Sequence, residues 1–180
     1  GIGQGFVTST ALELAVMTAR VGDPLMRAIM PRLVVDPNNL EPQFDKLNVK
    51  PWILKRLRAS LDAVTNHPRG TAYEHRMLWQ HQEMAGKTGT AQVRRISEAE
   101  RRQGVISNKD LPWSQRDHAL FVGYAPVSNP KYAASVIVEH GGSGSSVAAP
   151  IARDLLIAAL QRDSGADPSR IGAPKREQDV

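Results

Sequence analysis

Two apolar runs in the second half of the chain restrict its topology more than any other feature. His118–Tyr124 (His-Ala-Leu-Phe-Val-Gly-Tyr) and Tyr132–Glu139 are separated only by Pro126 and the turn Ser128-Asn129-Pro130. A connection that short cannot carry a crossover, so the two runs pair as antiparallel strands. A third extended run, roughly Glu83 to Arg94, precedes them. Within it Thr88, Thr90 and Val93 favour extended backbone, and Gly89 in a strand interior marks close approach by another backbone or a ligand.

Helical patterns surround these strands. Thr10 and Glu13 are spaced as a capping box, an apolar stripe of Leu14, Met17 and Val21 follows, and Gly22 and Pro24 end the helix. Pro51 opens a second helix whose buried face reads Ile53, Leu54, Leu57, Leu61 and Val64, stopped at Asn66-His67-Pro68. Between them, Ile29 to Val35 reads as extended despite Pro31, Asp36-Pro37-Asn38-Asn39 as a turn, and residues 40–48 as polar linker. Arg69-Gly70-Thr71-Ala72 begins a short segment toward Trp79. The polar stretch 95–117 holds a short helix from Ser97 to Gln103, and its length inside a compact domain points to function. Gly141-Gly142-Ser143-Gly144-Ser145-Ser146 leads to a last helix with Ala148, Ile151, Ala152, Leu155 and Ala159 on one side. From Asp163 onward Gly, Pro and charges replace apolar residues, so the domain is drawn as residues 1–162 and a disordered tail as 163–180.

Composition narrows the class. The 180 residues suffice for one domain with a core, and 41% hydrophobic with 23% charged content fits a globular protein. No apolar run approaches the roughly 20 residues of a membrane-spanning helix. Without cysteine there are no disulfides or thiolate zinc sites, which leaves the compartment open. The net charge of +5 is spread over scattered arginines, and no aromatic side chains interleave the basic pairs, so a solvated surface is favoured over nucleic-acid binding. The five histidines lack metal-ligand spacing. His118 opens one strand and His140 closes another, at a cleft border or simply at strand ends. Gly141-Gly142-Ser143-Gly144 lacks the ending of a phosphate-binding loop and reads as a turn. Trp52, Trp79 and Trp113 read as packing residues.

The chemistry concentrates in Ala85-Gly86-Lys87-Thr88-Gly89-Thr90-Ala91-Gln92-Val93. Lys-Thr-Gly is an element of serine acyl-transferases, where it accompanies a Ser-x-x-Lys nucleophile motif and a Ser-x-Asn-type motif. Four segments in order, Gly1–Gly5 with Thr8 and the following helix, Gly86–Val93, His118–Pro126, and Gly141–Gly144 with Ala148–Ala152, resemble the C-terminal half of a class B penicillin-binding protein transpeptidase domain. Gln92-Val93 and Gly3-Gln4-Gly5 make the resemblance nearest to the elongation type. It implies an α+β fold of the penicillin-binding transpeptidase and serine β-lactamase kind, of which this chain supplies a partial antiparallel sheet covered by helices.

The resemblance also implies roles. Lys87 would face the cleft, sustain the proton network around the second motif's serine and place positive charge near a substrate or penicillin carboxylate. Thr88 would bind that carboxylate, and Gly89 would let substrate lie against the strand edge. The Thr90 backbone N–H would be an oxyanion-hole donor, and its side chain would help bind substrate. Strict alternation puts Lys87 and Gly89 on one face and Thr88 and Thr90 on the other, so one ligand meets them all only alongside an edge strand.

The implied activity is peptidoglycan D,D-transpeptidation through an acyl-enzyme. It involves stem peptides and β-lactams as ligands, no metal or organic cofactor, a periplasmic location behind an N-terminal membrane anchor, and a glycosyltransferase partner in the elongation machinery. The single serine with lysine three residues on is Ser128, in the turn between the last two strands, so the nucleophile is expected upstream of Gly1 and the chain alone is expected to be inactive. A related D,D-carboxypeptidase or β-lactamase, and a non-catalytic binding module of the same fold, remain as alternatives.

Overall fold

The computed structural model describes residues 8–33, 43–80 and 82–164. Helix α1 (Ala11–Gly22) opens on the expected capping box. The Glu13 N–H donates to Thr10 Oγ1 (3.2 Å) and the Thr10 N–H donates to Glu13 Oε2 (2.7 Å). Helix α2 (Pro51–Asn66) begins at its proline, as read. Between them, part of the expected linker is ordered: the Ala28 N–H donates to the Asp45 carbonyl and the Leu47 N–H to the Met26 carbonyl, both at 2.7 Å, around an Arg27–Lys46 bridge. Val34, Val35 and the Asp36–Asn39 turn lie outside the described residues.

Strands β1 (Ala85–Ala91), β2 (His118–Ala125) and β3 (Tyr132–Val138) form one antiparallel sheet in that order. Lys87 stands opposite Val122, Thr88 opposite Phe121 and Thr90 opposite Ala119. A short helix α3 (Glu98–Gln103), capped by Ser97, and two single 3₁₀ turns fill the β1–β2 connection. The chain then passes through a π-helical turn, Gly144–Ala148, into α4 (Ala149–Asp163). The helix thus reaches Asp163, whose carboxylate pairs with Lys131 at 2.7 Å. The rest of the expected tail, beyond Ser164, lies outside the described residues.

The sheet separates two apolar layers. Ala119 and Phe121 of β2 and Val136 of β3 join Ala148, Ala149, Ala152, Leu156 and Leu160 in the main core. Tyr124 points to the opposite face, where α1 lies so close that a Cβ on Gly22 would sit 3.0 Å from its ring.

Helix phases differ from the sequence reading in three places. On α1 the buried face is Thr18 and Gly22, while Met17 of the expected stripe is 48% exposed. The cause is the Tyr124 ring, which only a small-residue face can approach. Met17 and Val21 of the stripe instead line a groove of about 660 Å³ between α1 and α2, with Leu57 on its far wall and 44% exposed where burial was expected. On α4 the core face is Ala149, Ala152, Leu156 and Leu160: of the expected Ala148, Ile151, Ala152, Leu155 and Ala159, Ala148 and Ala152 are buried, while Ile151 and Leu155 give way to Leu156 and Leu160 one position on. Both Ala148 and Ala149 are buried as the π-helical turn ends, which sets the phase and leaves Ile151 and Leu155 outside.

Candidate active site

β1 is an edge strand whose entry is fixed from two sides. The Thr65 hydroxyl (2.6 Å) and the Asn66 amide (3.0 Å), both at the end of α2, donate to the Met84 carbonyl. Gly86 stands opposite Gly123, and the Phe121 ring lies over both, since a Cβ on Gly86 would fall 2.3 Å from its Cζ. Small residues here let an aromatic anchor lock the strand. Beyond that point the strand emerges: Lys87 and Thr90 are exposed, and Thr88 and Gly89 are half-buried.

The Lys87 ammonium bends across the edge to the Thr88 carbonyl (2.6 Å) and approaches Thr88 Oγ1 (3.5 Å). The two side chains therefore meet despite belonging to alternate positions, which is how an edge strand gathers both toward one ligand. Among the described residues Lys87 has no carboxylate partner, so its charge is available to an incoming anion. Thr88 Oγ1 also lies 3.2 Å from Thr71 Oγ1, and the Ser145 hydroxyl donates to the Thr71 carbonyl. Thr71 and Ser145 are neighbours of this edge that the sequence reading did not assign.

The close approach expected at Gly89 comes from the glycine loop. A Cβ on Gly144 would lie 2.3 Å from the Gly89 carbonyl oxygen and 2.4 Å from that of Leu120, so this loop packs backbone to backbone on β1 and β2. Its preceding turn is pinned by histidines. The His140 N–H donates to His118 Nδ1 (2.9 Å), His140 Nδ1 bonds the Arg116 carbonyl (2.9 Å), and Trp113 packs edge-on against His140. The Gly142 N–H donates to the Asp117 carbonyl (2.8 Å), with Gly142 at φ +82° where a side chain would be strained. His118 and His140 thus hold the strand ends. No cluster of three potential metal ligands occurs among the described residues.

The β1–β2 excursion has its own clamp. Arg94 grips Glu100 in a two-pronged pair (2.7 and 2.5 Å), and its guanidinium holds the Glu100 carboxyl below the usual range. The arrangement is an exposed strand edge with an ammonium and a hydroxyl side by side, groups that can donate to an anion.

The family model of the penicillin binding protein transpeptidase domain matches residues 1–157. The chain belongs to that family. It is 34% identical over 165 residues to the peptidoglycan D,D-transpeptidase MrdA of Haemophilus influenzae, a match covering 87% of this chain and 24% of that protein. Among solved structures, penicillin-binding protein PBP2 of Helicobacter pylori, in its complex with MreC, superimposes with a TM-score of 0.68 at 30% identity, covering 91% of this chain and 26% of that one. Pseudomonas aeruginosa PBP2, in complex with WCK 5153, gives a TM-score of 0.63 at 31% identity, covering 99% and 34%. The α+β transpeptidase fold is thereby established, and the chain spans about a quarter of the length of the curated relatives.

Proposed function

We propose that these residues form the Lys-Thr-Gly side of the active site of a peptidoglycan D,D-transpeptidase of the MrdA/PBP2 type. The observation that carries this reading is the exposed edge of β1, where the Lys87 ammonium and the Thr88 hydroxyl converge beside Gly89 under the glycine loop. A stem peptide lies along the edge as an added strand, with its carboxylate between Lys87 and Thr88. A serine outside these 180 residues attacks the peptide carbonyl, the scissile C–N bond breaks, and the C-terminal amino acid leaves as an amine that takes up the serine's proton, transfers that the Lys87 charge supports. The Thr90 N–H stabilises the oxyanion, a contribution of about 3 kcal/mol to the barrier. An amine of a neighbouring stem then takes the acyl group, cross-linking the wall. β-Lactams enter by the same route because they present a carboxylate beside a reactive carbonyl.

The names of the relatives and of the family support this reading: MrdA proteins are D,D-transpeptidases, and the family is named for penicillin binding. In the cell the protein works on the periplasmic side of the inner membrane, held by an N-terminal anchor. It works with a glycosyltransferase of the elongation machinery and needs no metal or organic cofactor. Residues 1–162 make the C-terminal half of the transpeptidase domain.

Acceptor choice separates this from a carboxypeptidase or β-lactamase. With the full-length protein, a labelled stem peptide and an amine acceptor, cross-linked product should dominate over hydrolysed donor. Hydrolysis alone points to the hydrolase alternative, and no acyl-enzyme at all points to the binding module.

A further inference from the structure

We infer that Thr71 is a positioning residue that aims the Thr88 hydroxyl proton at the ligand carboxylate. The inference rests on the role proposed for Thr88. Thr71 is held unusually well for an exposed residue. The Ala72 N–H just after it donates to the Val64 carbonyl (3.0 Å), and Ala72 is fully buried. Gly70 just before it lies against the end of α2, where a Cβ would fall 2.4 Å from the carbonyl oxygens of both Ala63 and Val64. The Ser145 hydroxyl fastens the Thr71 carbonyl to the glycine loop. What this scaffold presents at the edge of β1 is one hydroxyl, 3.2 Å from Thr88 Oγ1.

Proton counting then fixes the direction. A threonine hydroxyl has one proton to give and lone pairs to accept with, whereas a carboxylate only accepts. When Thr88 donates to a carboxylate, it cannot donate to Thr71, so Thr71 must donate to Thr88 Oγ1. The result is a relay, Thr71 O–H to Thr88 O–H to carboxylate, in which each bond polarises the next. Lys87 does not replace Thr71 here, because its ammonium sits 2.6 Å from the Thr88 carbonyl and only 3.5 Å from the hydroxyl.

The test is a double-mutant cycle in the full-length protein, reading the second-order rate of acylation by benzylpenicillin per mole of folded protein, with melting temperature alongside. Thr71→Val keeps the shape and removes the hydroxyl, and is expected to slow acylation about fivefold with an unchanged melting temperature. Thr71→Ser should stay within about twofold of the parent. In a Thr88→Val background, Thr71→Val should cost nothing further. A parental rate for Thr71→Val while Thr88→Val is impaired overturns this inference alone, as does the same fivefold loss in both backgrounds. A parental rate for Thr88→Val overturns the carboxylate role of Thr88 and this inference with it.

Discussion

Thr65 shows how one hydroxyl serves the site from a distance. Fully buried, it gives its proton to the carbonyl of Met84, directly before β1. Thr65→Val leaves that carbonyl with Asn66 alone and should lower stability by about 1–2 kcal/mol, read as a shift in the urea midpoint. Asp23 makes a pH-dependent counterpart at the end of α1. Burial pushes its carboxyl up, but Arg27 donors (side chain, then backbone) and the Leu25 N–H outweigh this and leave it titrating below its usual 3.8. A carboxyl lowered on folding stabilises above about pH 4, and that share is lost as pH falls through the folded value. Asp23→Asn should therefore cost about 1–2 kcal/mol at neutral pH, and less at an acid pH below the folded value, where Asp23 is protonated. A gap of the same size at both pH values would contradict the ion-pair account. At this scale Lys87, Thr88, Gly89 and Thr90 were legible because they are contiguous. Thr71 and Ser145 were not, since their contacts span 17 and 74 positions and exist only once the chain has folded.

Among elements, local signals were read correctly wherever they act locally. The capping box at Thr10, the proline at the start of α2 and the hairpin of β2 and β3 each depend on neighbours in sequence. Helix phase depends on the partner surface, which is why the α1 and α4 stripes were turned: the Tyr124 ring selects small residues on α1, and a π-helical turn offsets α4. That same turn starts at Gly144, where a Cβ would lie 2.3 Å from the Gly89 carbonyl oxygen. Gly144→Ala should destabilise by about 2–4 kcal/mol and displace the loop from Gly89, measurable by thermal unfolding and by hydrogen exchange along β1. Unchanged stability would mean the loop relaxes freely. β3 ends the sheet, and no further strand pairs with it among the described residues. The isolated chain should therefore self-associate through that edge, and Ile137→Lys, at a position 39% exposed, should reduce association in sedimentation velocity. A monomeric parent chain would remove the premise.

On the scale of the whole molecule, the sequence identified the family because four separated segments occur in the family's order, and the fold places the second and fourth of them against each other at Gly89 and Gly144. The one Ser-x-x-Lys of the 180 residues, Ser128-Asn129-Pro130-Lys131, lies in the turn between β2 and β3 with its lysine paired to Asp163, so under the proposed function this chain supplies the substrate edge and the nucleophile lies elsewhere. Fluorescent penicillin labelling, read by denaturing gel, tests that division most directly on three samples: the full-length protein, its Lys87→Ala variant and the 180-residue chain. The account predicts a boiling-resistant label on the full-length protein, acylation slowed on the order of a hundredfold in Lys87→Ala at near-parental melting temperature, and no label on the isolated chain. Equal labelling of the variant, or a stoichiometric label on the isolated chain, would contradict it.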